Sequence, residues 1–172
     1  MPRPPAVSHH VPPTVPRSAM DVMVVANDSL TALSLEATLD LGGHRVVARV
    51  ASAALALEHA TTSRPALAIV KLGRWNCDEL VSELRDCLAV PSLLIGAEDD
   101  CAASHRAAAL GLVREPCGSR TILRAVKVAA GLREGRWPRG RLPRQIELFH
   151  RPSPAARPKS RKAAALTPST AP

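Results

Sequence analysis

Between residues 21 and 133, the chain alternates short apolar runs with longer segments in which apolar residues recur at helical spacing. The short runs are mostly apolar rather than alternating, which is typical of strands buried on both faces of a sheet. The longer segments place Leu and Ala three or four residues apart, as amphipathic helices do. The predicted strands are Asp21–Ala26, Arg45–Val50, Leu67–Val70, Ser92–Ile95 and Leu112–Arg114.

A helix is predicted after each strand. The first begins at the capping residues Asn27-Asp28-Ser29 and ends at Gly42-Gly43. The others are predicted at Ala51–Ser63, Asp78–Ala89, Asp99–Leu110 and Ser119–Leu132. Five strand–helix units predict an α/β fold, with a doubly wound five-stranded parallel sheet covered by helices on both faces. Sites in such folds lie beyond the C-terminal ends of the strands.

Proline and charge divide the chain into three parts. Of the 16 prolines, six lie in residues 1–20, seven in 134–172 and three in 21–133. Residues 21–133 hold 12 Lys and Arg against 13 Asp and Glu, whereas 134–172 hold nine against two, so the net charge of +8 belongs to the ends. We therefore predict a Pro-rich disordered arm at 1–20, a domain at 21–133 and a basic, Pro/Arg/Ala-rich disordered tail at 134–172. Met20 is an alternative translation start.

The sequence carries no export or membrane signal. Its apolar runs are shorter than the roughly 20 residues that span a bilayer, and prolines interrupt the N-terminal segment. The cysteines have no CxxC spacing, which predicts reduced thiols in a cytoplasmic protein. Cys77 and Cys117 fall on predicted loops at the C-terminal rim, where a redox switch is the alternative to inert packing.

The third predicted strand ends in a charge. In PALAIVKLGRW, the apolar run Leu67–Val70 is followed directly by Lys71 and then by a loop that contains Gly73. A charge at the end of a buried strand is costly unless a partner or water meets it. The identity of the group that meets Lys71 is therefore the central question about the rim.

Residues 21–133 resemble the receiver domain of response regulators, most of all those of alphaproteobacterial two-component systems. The resemblance is carried by VMVVANDSLTALSLEATLDLGGHRVV, RPALAIVKLGRWNCDEL, VPSLLIGAEDD and LGLVREPCGSRTILRAV, which have the family's order, lengths and apolar pattern. It implies a flavodoxin-like sheet in the order 2-1-3-4-5. It also implies a place in two-component (phosphorelay) signal transduction.

The resemblance ends at the phospho-acceptor pocket. The family's pair of acidic Mg²⁺ ligands after the first strand corresponds to Ala26 and Asn27. The family's phosphate-accepting aspartate, at the end of the third strand, corresponds to Lys71. This position therefore lacks the nucleophile that the family uses.

The remaining pocket positions also depart from the family pattern. The Thr or Ser that ends the fourth strand in the family corresponds to Gly96, and the aromatic switch residue of the fifth strand corresponds to Leu112. The family's Lys before a proline corresponds to Glu115, with Pro116 retained. The sequence thus predicts a degenerate pocket, or pseudo-receiver.

Phosphoryl transfer needs a nucleophilic carboxylate, a divalent cation and a cationic clamp. Mg²⁺ prefers carboxylate oxygens, and Ala26 with Asn27 offers one neutral amide. Lys71 would place a positive charge at the cation's own position, and Asp28 lies one residue beyond the metal pair. We therefore predict no Mg²⁺ site, no acyl phosphate and no other cofactor. Without a Ser-His-Asp order, a P-loop or a GxGxxG motif, the sequence indicates no enzyme.

Lys71 and Glu115 suggest an ion pair of swapped polarity. The family carries an acid and a base at these positions, and this chain carries a base and an acid. We hypothesise that the pair holds the rim closed without metal or phosphate, for about 0–1 kcal/mol if it is partly exposed. The alternative is that each side chain extends to water along its methylene stem.

The basic tail leaves several interpretations open. Disordered basic segments bind nucleic acid through phosphate contacts, and Pro138-Arg139-Gly140-Arg141 resembles the start of an AT-hook, with Leu142 in place of its final proline. A soluble tail that contacts acidic surfaces nonspecifically is a second interpretation. In a third, Leu142, Ile146, Leu148 and Phe149 form an amphipathic segment that docks on a partner or back on the domain.

The sequence therefore predicts an atypical response-regulator receiver protein without an output domain, which acts by phosphorylation-independent protein–protein interaction. Predicted partners are a histidine kinase, another response regulator or a second copy. By resemblance, the contact surface comprises Asp99–Leu110, Leu112–Arg114 and Ser119–Leu132. A nucleic-acid-associated protein that binds through its tail is the alternative, and a regulator phosphorylated at an unrecognised acceptor is a second alternative. No membrane role is predicted.

Overall fold

A computed structural model of the protein describes residues 19–73, 75 and 77–149. The strands are β1 (Asp21–Val25), β2 (Arg45–Val50), β3 (Leu67–Lys71), β4 (Ser92–Gly96), β5 (Gly111–Arg114) and β6 (Ile146–Leu148). They form one sheet in the order β2-β1-β3-β4-β5-β6. The first five strands are parallel, whereas β6 pairs antiparallel with β5. The predicted α/β fold with the strand order 2-1-3-4-5 is confirmed, and the structure adds a sixth strand.

Five helices connect the parallel strands and follow the last of them. They are α1 (Ser29–Leu41), α2 (Ala53–Ser63), α3 (Asp78–Asp86), α4 (Ala103–Ala108) and α5 (Ser119–Arg133). Two predicted helices are shorter than expected. The fourth was predicted from Asp99, but residues 97–101 form hydrogen-bonded turns instead. The third was predicted to reach Ala89, which adopts a left-handed backbone conformation with φ of 54° that helices exclude.

The two faces of the sheet each have their own apolar core. On one face, side chains of α1 and α5, such as Leu35 and Val126, pack against Val24 and Ile69 of the central strands. On the other, α2, α3 and α4 pack against the side chains of the same strands that point the opposite way, such as Val70. Because both faces are covered, β1, β3 and β4 are almost wholly apolar and buried, as the sequence pattern predicted.

The strand β6 corrects the predicted start of the disordered tail. Residues 134–149 belong to the described structure, and Ile146 is buried in the α1–α5 core. Leu142 and Leu148 pack against the same core, and Phe149 packs against the core on the other face. The amphipathic segment therefore docks back on the domain, which was one of the alternatives left open by the sequence. Residues 150–172 lie outside the described residues.

The N-terminal boundary of the domain lies at or before Met20, rather than at residue 21 as predicted. Its side chain is buried in the α1–α5 core, and its carbonyl oxygen accepts a hydrogen bond from the Arg45 N–H at 2.9 Å. Met20 thus belongs to the domain rather than to the predicted arm, of which residues 1–18 lie outside the described residues. In the described part of the chain, no helix has the length and apolarity to cross a membrane.

Glycine at position 111 permits the close approach of β6. A Cβ atom added at Gly111 would lie 2.2 Å from the carbonyl oxygen of Glu147, a backbone atom of β6. Two backbone hydrogen bonds flank this contact, from the Arg114 N–H to Gln145 at 2.7 Å and from the Phe149 N–H to Leu110 at 3.0 Å. A side chain at position 111 would therefore force the strands apart.

We predict that Gly111→Ala displaces β6 and lowers the free energy of unfolding by about 1–3 kcal/mol, because the added methyl group overpacks against backbone. Hydrogen exchange should show lost protection of the Arg114 and Phe149 amides. Gly118→Ala is the control, because a Cβ at Gly118 would meet nothing within 4 Å. Unchanged protection of both amides in Gly111→Ala would contradict this account of the strand pair.

Candidate functional site

The C-terminal rim of the sheet brings Lys71 and Glu115 into contact. Lys71 is the last residue of β3, and its Nζ donates a hydrogen bond to Glu115 Oε2 at 2.9 Å. The same Nζ also donates to the carbonyl oxygen of Leu72 at 2.9 Å. The lysine that ends this buried strand therefore has two hydrogen-bond acceptors, one of them charged.

Backbone contacts hold both partners of this pair. The Glu115 N–H donates to the Gly96 carbonyl oxygen at 3.0 Å, which places Glu115 beside the end of β4. The peptide bond between Glu115 and Pro116 is cis. On the other side, the indole N–H of Trp75 donates to the Lys71 carbonyl oxygen at 2.9 Å. The pair thus joins the end of β3 to the loop that follows β5.

The Lys71–Glu115 pair lies between the exposed and the buried extremes. The Lys71 side chain is 20% exposed and that of Glu115 is 41% exposed. For pairs open to solvent, the loss of side-chain freedom and the high dielectric constant leave a net gain of about 0.2–1 kcal/mol. The contact therefore defines the rim's geometry more than it stabilises the fold.

The positions of the family's metal ligands lie beside a cavity without carboxylates. A cavity of about 420 Å³ is bordered by Ala26 and Asn27 at the end of β1, and by Arg49 near the end of β2. None of the described residues that line this cavity is acidic. Its one charged side chain, Arg49, lies 3.1 Å from Glu36 Oε2. The donor set beside the cavity does not fit Mg²⁺.

Asp28, the nearest carboxylate in the sequence, caps α1. Its oxygens accept hydrogen bonds from the backbone N–H groups of Leu30 at 3.3 Å and Thr31 at 2.8 Å. The Thr31 hydroxyl also donates to Asp28, and these hydrogen bonds lower the pKa of the carboxyl group. Asp28 is thus an N-cap residue, as its place in Asn27-Asp28-Ser29 indicated.

Leu72 occupies the space beside Gly96. A Cβ atom added at Gly96 would lie 2.6 Å from the Cβ of Leu72, and Leu72 itself is buried. A serine or threonine at position 96 therefore does not fit unless Leu72 moves. The residue at position 96 is therefore coupled to the packing of Leu72 at the end of the neighbouring strand.

Leu112 is fully buried in the core on the α2–α4 side of the sheet. The resemblance places the family's aromatic switch residue at this position. Leu112 has no polar group and is enclosed by apolar neighbours, so it acts as a packing residue in this structure.

Three side chains that the sequence analysis did not connect meet between α3 and α4. Cys77 Sγ lies 3.4 Å from His105 Nε2, and His105 Nε2 lies 2.6 Å from Asp78 Oδ1. Their donor atoms all lie within 4.8 Å of one another. The Ala102 N–H donates to His105 Nδ1 at 3.1 Å, so the neutral ring carries its proton on Nε2 and donates it to Asp78. The three side chains thus form a hydrogen-bonded cluster between α3 and α4.

The thiols of Cys77 and Cys117 are poorly suited to redox chemistry. Burial, with Asp78 adjacent, raises the pKa of Cys77 to about 11, and burial also raises the pKa of Cys117. The thiolate is the reactive form, so both groups are protonated and slow to react at neutral pH. Cys77 and Cys117 also pack against cores on opposite faces of the sheet.

An ion-pair network fastens β6 to the neighbouring elements. Glu147 of β6 accepts from Arg106 of α4 at 2.6 Å and from Arg114 of β5 at 3.0 Å. Glu98 lies 3.3 Å from Arg114, and the Arg106 guanidinium lies 5.1 Å from the centre of the Phe149 ring. Burial opposes ionisation of Glu147, but the hydrogen bonds from the two arginines outweigh it and lower the pKa. The sequence offers no local signal for these contacts.

Comparison with known proteins supports the fold. No family model and no curated protein matches the chain. A receiver domain of a modulated diguanylate cyclase from Desulfovibrio desulfuricans G20 matches 67% of this chain and 97% of its own, with a TM-score of 0.61 and 20% identity. The receiver domain of the response regulator NarL from Mycobacterium tuberculosis matches 66% of this chain and 97% of its own, with a TM-score of 0.59 and 21% identity.

A third solved structure, a mutant of the anti-anti-sigma factor PhyR from Bartonella quintana, matches with a TM-score of 0.60 and 19% identity. The match covers 67% of this chain and 50% of the PhyR chain, so the present chain spans about half of that protein. At these identities the shared property is the fold. The chain has the receiver-domain fold.

We predict a coupling energy of about 0.2–1 kcal/mol between Lys71 and Glu115, because the pair is partly exposed. A double-mutant cycle with Lys71→Met and Glu115→Gln isolates this coupling energy. Lys71→Met removes the Lys71–Leu72 hydrogen bond whether residue 115 is Glu or Gln, so the contribution of that hydrogen bond cancels. Urea unfolding at low and high salt measures the coupling, and salt should weaken it. Additive single effects at low salt would show that the two groups do not interact in solution.

Proposed function

We propose that the chain is an atypical receiver protein that acts in two-component signal transduction in the cytoplasm, through protein contact that does not depend on phosphorylation. The observation that carries this proposal is the 2.9 Å contact between Lys71 and Glu115, at the positions where receivers resembling this sequence carry an acceptor acid and a base. The carboxylate-free cavity beside Ala26 and Asn27 supports it. On this proposal, the protein is not an enzyme and uses no cofactor.

A fixed charge pair changes how such a domain signals. Phosphorylation normally biases an equilibrium between two conformations. Here the cationic and anionic groups are both part of the chain, so their attraction is present at all times. We infer that the domain holds one conformation and that its activity is set by the abundance of the protein and its partner.

The exposed side of α1 supports a protein partner. Leu30, Leu33 and Leu41 are 75%, 48% and 84% exposed, and Ala37 between them is also exposed. Their spacing of three, four and four residues places them on one stripe of the helix. A contiguous exposed apolar stripe is typical of a surface that another protein covers.

The surface first predicted for partner contact is partly occupied by the chain itself. The edge of β5 pairs with β6, and Arg106 of α4 is bound to Glu147 of β6. A homodimer through this face would include β6 in its interface. We therefore place the contact with a histidine kinase or another response regulator on α1.

We predict that neither the natural chain nor Lys71→Asp is labelled by acetyl phosphate in the presence of Mg²⁺. The substitution restores a carboxylate, but Ala26 and Asn27 still supply no carboxylate for the metal. A receiver with an intact acidic pocket verifies the assay. Stable labelling of any aspartate in the natural chain would instead support a conventional regulator with an unrecognised acceptor.

We predict that partners from the native cell bind the tagged full chain equally with and without acetyl phosphate and Mg²⁺. Leu33→Asp/Leu41→Asp should abolish capture of two-component proteins, because it places two charges in the α1 stripe. Leu55→Asp is the matched control, because Leu55 is 46% exposed on α2. Mass spectrometry identifies the captured proteins, and capture that survives the α1 change would exclude this surface.

A further inference from the structure

The exposed side of α5 is basic. Arg120, Arg124 and Lys127 are exposed and lie at positions i, i+4 and i+7, so they share one side of the helix. The segment after the helix adds Arg136 and Arg139. Like charges this close repel one another unless an anion lies between them.

A helix-ending motif turns this segment back against α5. Gly135 has a φ of 73°, and its N–H donates to the Leu132 carbonyl oxygen at 3.0 Å. The Arg136 N–H donates to the Gly131 carbonyl oxygen at 2.8 Å. These two hydrogen bonds form a Schellman motif, which requires the left-handed conformation that glycine adopts without strain. The position of residues 136–139 beside the helix is therefore encoded locally.

The helix and the returning segment enclose a groove of about 550 Å³. Four cations line it, and the indole of Trp137 and the ring of Pro138 form part of its wall; the cations are Arg124, Lys127, Arg136 and Arg139. None of the described lining residues is acidic. Trp137 is 39% exposed, and Glu134 outside the groove partly neutralises Arg136.

We propose that this groove binds single-stranded nucleic acid. Guanidinium groups match the geometry of phosphate oxygens and bind them with two hydrogen bonds, and the Lys127 ammonium adds a mobile positive charge. The indole of Trp137, a residue that is 39% exposed, supplies an aromatic group against which an unpaired base would stack. Phosphates would lie along the Arg124–Lys127 side of the groove, and a base would lie against Trp137.

The combination of features favours this ligand over an acidic protein segment. An acidic peptide would use the cations, but it would gain little from an exposed indole in a concave wall. A duplex would satisfy the cations too, but its bases are already stacked and do not reach Trp137. The groove shares no residue with the Lys71–Glu115 pair. If the groove does not bind nucleic acid, the proposed signalling function is therefore unaffected.

The test is fluorescence anisotropy of a labelled oligothymidine of about 12 nucleotides with the full chain. Arg124→Glu/Lys127→Glu should weaken binding on the order of tenfold or more, and the affinity should fall steeply between about 50 mM and about 200 mM salt. Arg64→Glu/Arg133→Glu is the matched control, because it makes the same charge change at two exposed residues that lie outside the groove lining. It should weaken binding by no more than about threefold.

Substitutions of Trp137 provide a second test of the proposal. Trp137→Ala should weaken binding on the order of tenfold, whereas Trp137→Phe should retain most of the affinity, because a phenyl ring still stacks on a base. Thermal unfolding of every variant verifies the fold, and Arg124→Gln/Lys127→Gln replaces the double Glu variant if that variant does not fold.

Three results would overturn the proposal. Equal losses in the two double Glu variants would assign binding to overall charge rather than to the groove. An unchanged affinity of Trp137→Ala would show that no base stacks on this indole. Competition by poly-glutamate as effective as that by the oligonucleotide, at equal charge, would assign the groove to acidic protein segments.

Discussion

Because the sheet is buried on both faces, charged side chains of its central strands can lie only where those strands end. The parallel arrangement brings the C-terminal ends of β1, β3, β4 and β5 to one rim. The chemistry of that rim is therefore decided by a few residues that follow apolar runs. In this protein they are Asn27, Lys71, Gly96 and Glu115. Lys71 and Glu115 attract each other, and the set offers no pair of carboxylates for a cation.

The changes at this rim are physically linked. Lys71 supplies positive charge where receivers with an acidic pocket place a metal, and Glu115 supplies the countercharge. Leu72 fills the space that a side chain at position 96 would need. Its packing therefore depends on glycine at this position. Leu112 is buried in the apolar core on the α2–α4 side of the sheet. The structure is that of a rim rebuilt around an internal ion pair.

The last described segment shapes two further parts of the domain surface. Residues 136–139 return along α5, and β6 then pairs with the edge of β5, where Glu147 holds arginines from α4 and β5. An open sheet edge is a place where other chains add strands, and β6 closes it. The same segment builds a basic groove at α5 and leaves α1 as the apolar exposed surface. The two surfaces differ in chemistry, because one presents cations and the other presents leucines.

The sequence by itself determined the strands, the helices, their order and the position of Lys71 at the end of β3, because apolar periodicity records which positions are buried. It also predicted a degenerate phospho-acceptor pocket, since that prediction depends only on the residue types at the strand ends. Only the tertiary structure decided that β6 pairs with β5, that α4 has six residues, and that His105 meets Cys77 and Asp78. These contacts join residues far apart in the chain, whose approach depends on how whole elements pack. No local sequence pattern predicts that approach. From the sequence Gly111 resembles a loop glycine, and only the structure places the backbone of Glu147 against it.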